Sequence, residues 1–195
     1  FAKILKGRPV ILGYYFNEEK DRRYGQLPPA TLNRSGLPTQ EGSSFVRFSG
    51  YGGNLPQLSA SAAGAGHFNP IVDFDGISRR VPLLAQYGDG YYEALSLAMV
   101  RTLLGNASIR PGYPGENAKS GMEWIEIRSA DRVLRVPVDE NVSALIPYRG
   151  GERSFPYVPA VEVLRGTVPE NTLKDRIVLI GTTAPGLNDL RATPV

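Results

Sequence analysis

The two residue types most often used for nucleophilic, base and metal chemistry near neutral pH, histidine and cysteine, are almost absent from this chain. Its single histidine is His67, in the run GAGHFNP, and it contains no cysteine. A Ser-His-acid triad needs a base beside its nucleophile, and no G-x-S-x-G elbow occurs to supply one. Two readings of His67 stay open: it ends a strand and bonds a neighbouring carbonyl or water, or it orients a ligand together with Asn69. The acidic residues Asp73, Asp75 and Asp189 offer themselves to an enzyme of another type, but no base with a supporting partner accompanies them. Asp73-Phe74-Asp75-Gly76 has the alternate carboxylates of a calcium loop. The residues that follow, Ile77, Ser78, Arg79 and Arg80, do not continue its oxygen ligands, so the Asp-Gly pair reads as a turn. Gly64 and Gly66 lack the third glycine of a dinucleotide loop, and no phosphate-binding G-x-x-x-x-G-K-[ST] occurs. The expectation is a non-catalytic chain without cofactor or metal.

The residue pattern that best suits a ligand is Gly181-Thr182-Thr183-Ala184. It follows the apolar run at residues 177–181 (IVLIG), and in open α/β sheets small molecules bind in the crevice outside the carboxyl ends of strands. Two hydroxyls and free backbone N–H groups there could hold a polar molecule; equally, Thr182 and Thr183 could bond their own backbone at a tight strand exit. Arg149, in IPYRG, follows another apolar stretch and would favour an anionic ligand. The candidate contacts are therefore Thr182, Thr183, Arg149, His67 and Asn69.

These residues must be carried by elements that the hydrophobic pattern outlines. Residues 10–16 (VILGYYF) and 177–181 form nearly unbroken apolar runs of the kind found in strands covered on both faces. Residues 91–104 read as a helix presenting Leu95, Ala98, Met99 and Leu103 on one face, with Asp89 as cap and Gly105 as stop. Pro159 opens a second helix, AVEVLR, which Gly166 ends. Residues 56–63 give a short alanine-serine helix, and hairpins are expected around Asp75-Gly76 and around Ala130-Asp131. Residues 17–44 and 109–121 are polar, rich in Gly and Pro, and read as long loops. The pattern predicts a single α/β domain: a three-layer sandwich with a mixed, largely parallel central sheet and an antiparallel hairpin extension. The two apolar runs are placed at its centre.

The bulk numbers agree with a folded domain. With 195 residues, 42% apolar and 21% charged, the chain can bury a continuous core. Its net charge is +3, yet the basic residues are scattered, with the tightest clusters at Arg22-Arg23 and Arg79-Arg80. That is not the stripe that nucleic acid requires, and no nucleic-acid partner is expected. No run approaches eighteen apolar residues. A first residue Phe1 and a last stretch Thr193-Pro194-Val195 read as a fragment trimmed at both ends.

The segment GHFNPIVDFDGISRRVPLL at residues 66–84, a helix, IPYRG, and then FPYVPAVEVLRGTVPENTLKDRIVLIGTTAPGLNDLRATPV resemble, in this order, the second type of CHASE domain. The D-x-D-G-x-x-R-R segment at 73–80 and IVLIGTTAPGLNDL at 177–190 carry most of the likeness. The resemblance implies an extracellular sensory domain. It would be the input module of a bacterial membrane receptor, joined through membrane helices to an adenylate or guanylate cyclase, a histidine kinase or a serine/threonine kinase. Its implied partners are an unidentified small ligand or periplasmic protein, the receptor's own membrane helices and a second copy in a homodimer. A structural dimerisation module without a small-molecule ligand is the alternative, and a flat, apolar surface patch in place of a pocket would favour it.

Overall fold

In the computed structural model, residues 1–37, 43–115, 121–151, 154–182 and 192–194 are described. They divide into two compact units. Unit one comprises residues 1–72 and 79–146, and unit two residues 73–78 and 147–195.

Unit one is built mainly of strands. Its first sheet joins β1 (Ile11–Asn17), β2 (Arg23–Tyr24), β5 (Gly50–Gly52) and β6 (Gly64–His67) in the order β2-β5-β1-β6. The second joins β3 (Leu32–Asn33), β4 (Val46–Phe48), β8 (Leu84–Tyr87) and β9 (Gly90–Glu93) in the order β3-β9-β8-β4. The third is the meander of β10 (Ser108–Gly112), β11 (Trp124–Arg128) and β12 (Val133–Pro137). A short pair joins β7 (Arg80–Pro82) to β13 (Ser143–Leu145).

The side-chain alternation of β8 and β9 explains why these sheets stack. Successive strand residues point to opposite faces. On one face Ala85, Tyr87 and Tyr92 meet Tyr14, Phe16, Tyr51 and Ala65 of the first sheet, with Phe48 of β4. On the other face Leu84 and Tyr91 join Leu37, Phe45, Ile109, Ile125, Ile127 and Val142 in a larger aliphatic core. The second sheet is therefore the middle layer, with packed side chains on both faces.

The α/β class and the mixture of parallel and antiparallel strands agree with the sequence reading. β1–β6, β2–β5 and β4–β8 are parallel. The other strand pairs are antiparallel, so the balance lies further from parallel than the apolar runs alone suggested. The hairpin about Ala130-Asp131 forms, with Ile125 opposite Val136 and Ile127 opposite Leu134. Ile109 to Gly112, expected to be loop, pairs with β11 in the same sheet.

The helix expected over residues 91–104 is shorter: α3 spans Leu95–Leu103, after α1 (Ala2–Leu5) and α2 (Pro56–Ser59). Tyr91 to Glu93 belong to β9, because β8 and β3 flank them with backbone partners. Asp89 consequently lies in the β8–β9 turn, and Ala94 occupies the cap position. The buried face is also rotated from the one expected: Leu97 and Ala98 are enclosed, whereas Leu103 is 64% exposed.

α3 crosses β6 closely enough that a Cβ on Gly66 would lie 2.4 Å from the Leu95 Cα. His67 and Ala94 bridge in parallel at this crossing. The approach is possible only because position 66 has no side chain.

In unit two the Asp75-Gly76 turn forms as expected. The Asp73 carbonyl accepts from the Gly76 N–H at 2.9 Å, and the Ile77 N–H donates to Asp75 Oδ1 at 3.1 Å, with Gly76 at φ +81. α4 (Ala160–Arg165) ends at Gly166 in the left-handed conformation, also as expected. The strand predicted at residues 177–181 does not form. No described residue pairs with it, and Ile177, Val178, Leu179 and Ile180 are all exposed, Ile180 at 94%. An apolar run becomes a strand only where a neighbour supplies backbone partners and a covering face.

Replacing Gly66 by Ala should force β6 and α3 apart. The expected cost is about 1–3 kcal/mol, the usual range for an added methyl that forces backbone shifts, read as a fall in the urea midpoint; an unchanged midpoint would mean the crossing is looser than described.

Candidate functional site

Of the residues singled out from the sequence, His67 and Asn69 lie together where β6 leaves β1. His67 is the last residue of β6, paired in parallel with Tyr14. One step on, the Phe68 N–H donates to the Tyr14 carbonyl at 3.0 Å. Pro70 has no N–H to offer, and the chain turns away. The ladder is completed by a side chain: Asn69 Oδ1 accepts from the Phe16 N–H at 2.8 Å, and Asn69 Nδ2 donates to the Phe16 carbonyl at 2.9 Å. An amide carries one acceptor and one donor in the spacing of a peptide unit, so Asn69 stands in for the next strand residue. Both ends of its amide are thus engaged with Phe16.

His67 is fully buried and neither ring nitrogen has a hydrogen-bond partner. Burial alone drives its pKa down to about 4, so the ring is neutral at ordinary pH. Its ring is tilted by 53° against that of Phe16, with centroids 5.7 Å apart.

Two further polar groups in this interior were not singled out from the sequence. The Tyr14 hydroxyl is buried and unpartnered, and its pKa is raised by burial and then by Tyr92 and Glu93. Glu93 Oε1 accepts from Arg101 Nη1 at 2.5 Å, while Arg101 Nε donates to the Ala107 carbonyl at 2.7 Å, tying β9 to the end of α3. Glu93 Oε2 is buried without a partner, and burial raises this carboxyl's pKa against the opposing pull of Arg101. Tyr14 was legible only as one aromatic in an apolar run. Nothing local in the sequence marks Glu93, whose enclosure depends on Arg101 of α3 reaching back to it.

The remaining candidates belong to unit two. Arg149 is exposed and forms no ion pair among the described residues. Its neighbour Tyr148 donates its hydroxyl to the Ser78 carbonyl at 2.6 Å, and the Ser78 N–H donates to the Ala192 carbonyl at 2.8 Å. Thr182 is exposed and lies outside helix and strand. Thr183 and Asp189 fall outside the described residues. The strand exit that would have placed the threonines is missing, since residues 177–181 make no strand.

A neutral, enclosed imidazole with no partner at either nitrogen has neither the contact nor the access of a general base. Among the described residues no three His, Cys, Asp or Glu side chains converge as a metal site. What this interior does contain is desolvation held in place by packing. Its consequence is sensitivity to acid. The unfolded chain takes up a proton on His67 near pH 6.5, and the folded chain only near 4, so stability present above 6.5 falls as the pH drops towards 4. The loss attributable to His67 should reach roughly 3 kcal/mol. Chemical denaturation across pH 7 to 4 should show this limb and His67→Leu should flatten it; identical pH profiles for the two proteins would contradict the assignment.

No described helix is long and apolar enough to cross a membrane. The family model described as CHASE2 domain matches residues 1–195. No curated protein and no solved structure gives a match.

Proposed function

The chain belongs to the CHASE2 domain family, whose members are extracellular sensory domains of signalling receptors, and from that premise we propose that it is the extracytoplasmic input module of a bacterial transmembrane receptor. The observation that carries this reading is the extent of the family match, which takes in the whole chain and not one motif. In this role the 195 residues act as one sensory domain. Membrane helices elsewhere in the receptor link it to a cyclase or to a histidine or serine/threonine kinase, and all covalent chemistry occurs in that output domain. Binding outside the membrane favours one of two arrangements of the domain, and the bias passes along the connecting helices.

The exposed cation Arg149 and the hydroxyls of Thr182 and Thr183 remain the contacts proposed for an anionic or polar ligand on unit two. Asn69 is better read as a structural clasp, given its two bonds to Phe16. His67 acts by being kept dry.

A second reading, that the domain works chiefly as a dimerisation module, is favoured by the apolar surface of unit two. Phe155, Tyr157, Leu164 and Ile177 to Ile180 are all exposed, Leu164 at 87%. Exposed apolar side chains in such number, where they adjoin, commonly mark an interaction site.

A thermal-shift screen of the 195-residue chain against small anions, amino acids, sugars, nucleotides and divalent metals, run beside sedimentation analysis, separates the two. Saturating a selective site at 100 times its Kd stabilises the native state by about 2.7 kcal/mol. A selective rise in melting temperature on a monomeric sample supports ligand perception. A concentration-dependent dimer, with no response across the panel, would turn the account to the dimerisation module.

A further inference from the structure

Unit one carries an open depression of about 520 Å³ beside its aromatic cluster. Tyr87 and Tyr92 give it an aromatic wall, and it is completed by Ala30, by Asn33 to Ser35 and by the turn Gly88 to Gly90. Three features make it a binding site in form.

The rings are held before anything arrives. Tyr87 sits edge-on to Tyr51 at 5.3 Å, stacks on Phe16 at 5.9 Å and lies 5.9 Å from the Arg23 guanidinium. Tyr92 is edge-on to Phe16 at 5.5 Å and to Tyr87 at 6.4 Å. An aromatic wall fixed by packing loses little entropy on binding.

The turn also fits a molecule that must come close. Gly88 is left-handed at φ +57 with open space where a side chain would stand, and a Cβ on Gly90 would lie 2.8 Å from the Ala30 Cβ. The backbone at this rim is therefore bare on the one side and pressed against Ala30 on the other.

The third feature is charge. Arg34 and Asp89 line the same depression, one cationic and one anionic, yet they form no ion pair with each other or with any described residue. Opposite charges on one concave surface that do not meet leave room for a molecule that carries both, with its carboxylate at the guanidinium and its ammonium at the carboxylate. The tyrosine rings then face the rest of that molecule, and aromatic rings favour a planar or apolar body and attract a nearby ammonium.

We infer that the depression lined by Arg34, Asp89, Tyr87 and Tyr92 is a recognition site for a free α-amino acid with an apolar or aromatic side chain. This rests on the sensory reading above and names its ligand class. Carboxylate and ammonium are both required, and the side chain lies on the tyrosine wall, where its size rather than its hydrogen bonding is read. The site is separate from Arg149, Thr182 and Thr183, all of which belong to unit two.

Isothermal titration of the 195-residue chain with L-phenylalanine, 3-phenylpropionate and phenethylamine tests this directly. The expected result is saturable binding of L-phenylalanine, with each single-charge analogue weaker by at least about tenfold. Arg34→Ala should bring L-phenylalanine down to the level of phenethylamine, and Asp89→Asn to that of 3-phenylpropionate. Both residues are exposed, so the variants should keep the wild-type melting temperature. The site is overturned if L-phenylalanine fails to bind, or if it binds the two variants as it binds the wild type. If L-phenylalanine fails to bind while a different compound from the wider screen raises the melting temperature equally in wild type and Arg34→Ala, the site is overturned and the sensory reading stands. Silence to every compound, with a dimer in sedimentation, removes both.

Discussion

Phe16 is the residue on which unit one depends. Its ring meets five others: Tyr14 at 5.4 Å, Phe48 at 5.3 Å, His67 at 5.7 Å, Tyr87 at 5.9 Å and Tyr92 at 5.5 Å. Its backbone is held from the side by the Asn69 amide, which bonds both its N–H and its carbonyl. One residue thus fixes the end of β1, the exit of β6 and the aromatic face of the middle sheet. Aromatic pairs of this kind contribute about 0.5–1.5 kcal/mol each beyond the area they bury, so a ring with five such neighbours outweighs any single surface ion pair. The polar groups enclosed nearby, His67 and the Tyr14 hydroxyl, have no hydrogen-bond partner, and the packing around Phe16 has to offset the cost of burying them.

What the sequence showed and what it concealed follow from the same physics. The run at residues 10–16 marked β1, since a strand covered on both faces favours apolar residues in succession. It could not show that Tyr15 would face outward, which depends on which side the second sheet lies. The hairpin of β11 and β12, the Asp75-Gly76 turn and the Gly166 stop were legible because each is a local matter of turn chemistry. The run at residues 177–181 looked much like β1 and yet stays exposed, because a strand needs partners that local composition does not supply. The start of α3 was misplaced for a related reason: Tyr91 to Glu93 run without a break into the helical pattern, but β8 and β3 draw them into a sheet.

The site was less legible than the fold. His67 was the conspicuous residue because it is the lone histidine, and its burial among rings gives it a role in packing. Asn69 stood beside it in the sequence, but its use as a substitute peptide unit depends on where β6 departs from β1. Arg34, Asp89 and the two tyrosines are spread over nearly sixty residues of polar, glycine-rich chain, and only the pairing of β3 with β9 brings them to one rim. A sensory domain needs a rigid frame and a surface able to read a ligand. The aromatic core supplies the frame, and under the proposed ligand site the tyrosines at its margin would serve both.

The Asn69 clasp and the Phe16 ring hold unit one together, and native-state hydrogen exchange tests this residue by residue. In the wild-type chain the Phe16 amide should exchange as slowly as the most protected amides of β8 and β9, opening only when the unit opens. In Asn69→Ala its protection should fall by at least about tenfold more than theirs, as expected when a hydrogen-bonded amide loses its acceptor. A Phe16 amide that exchanges rapidly in the wild type, or that is indifferent to the loss of Asn69, would contradict the account.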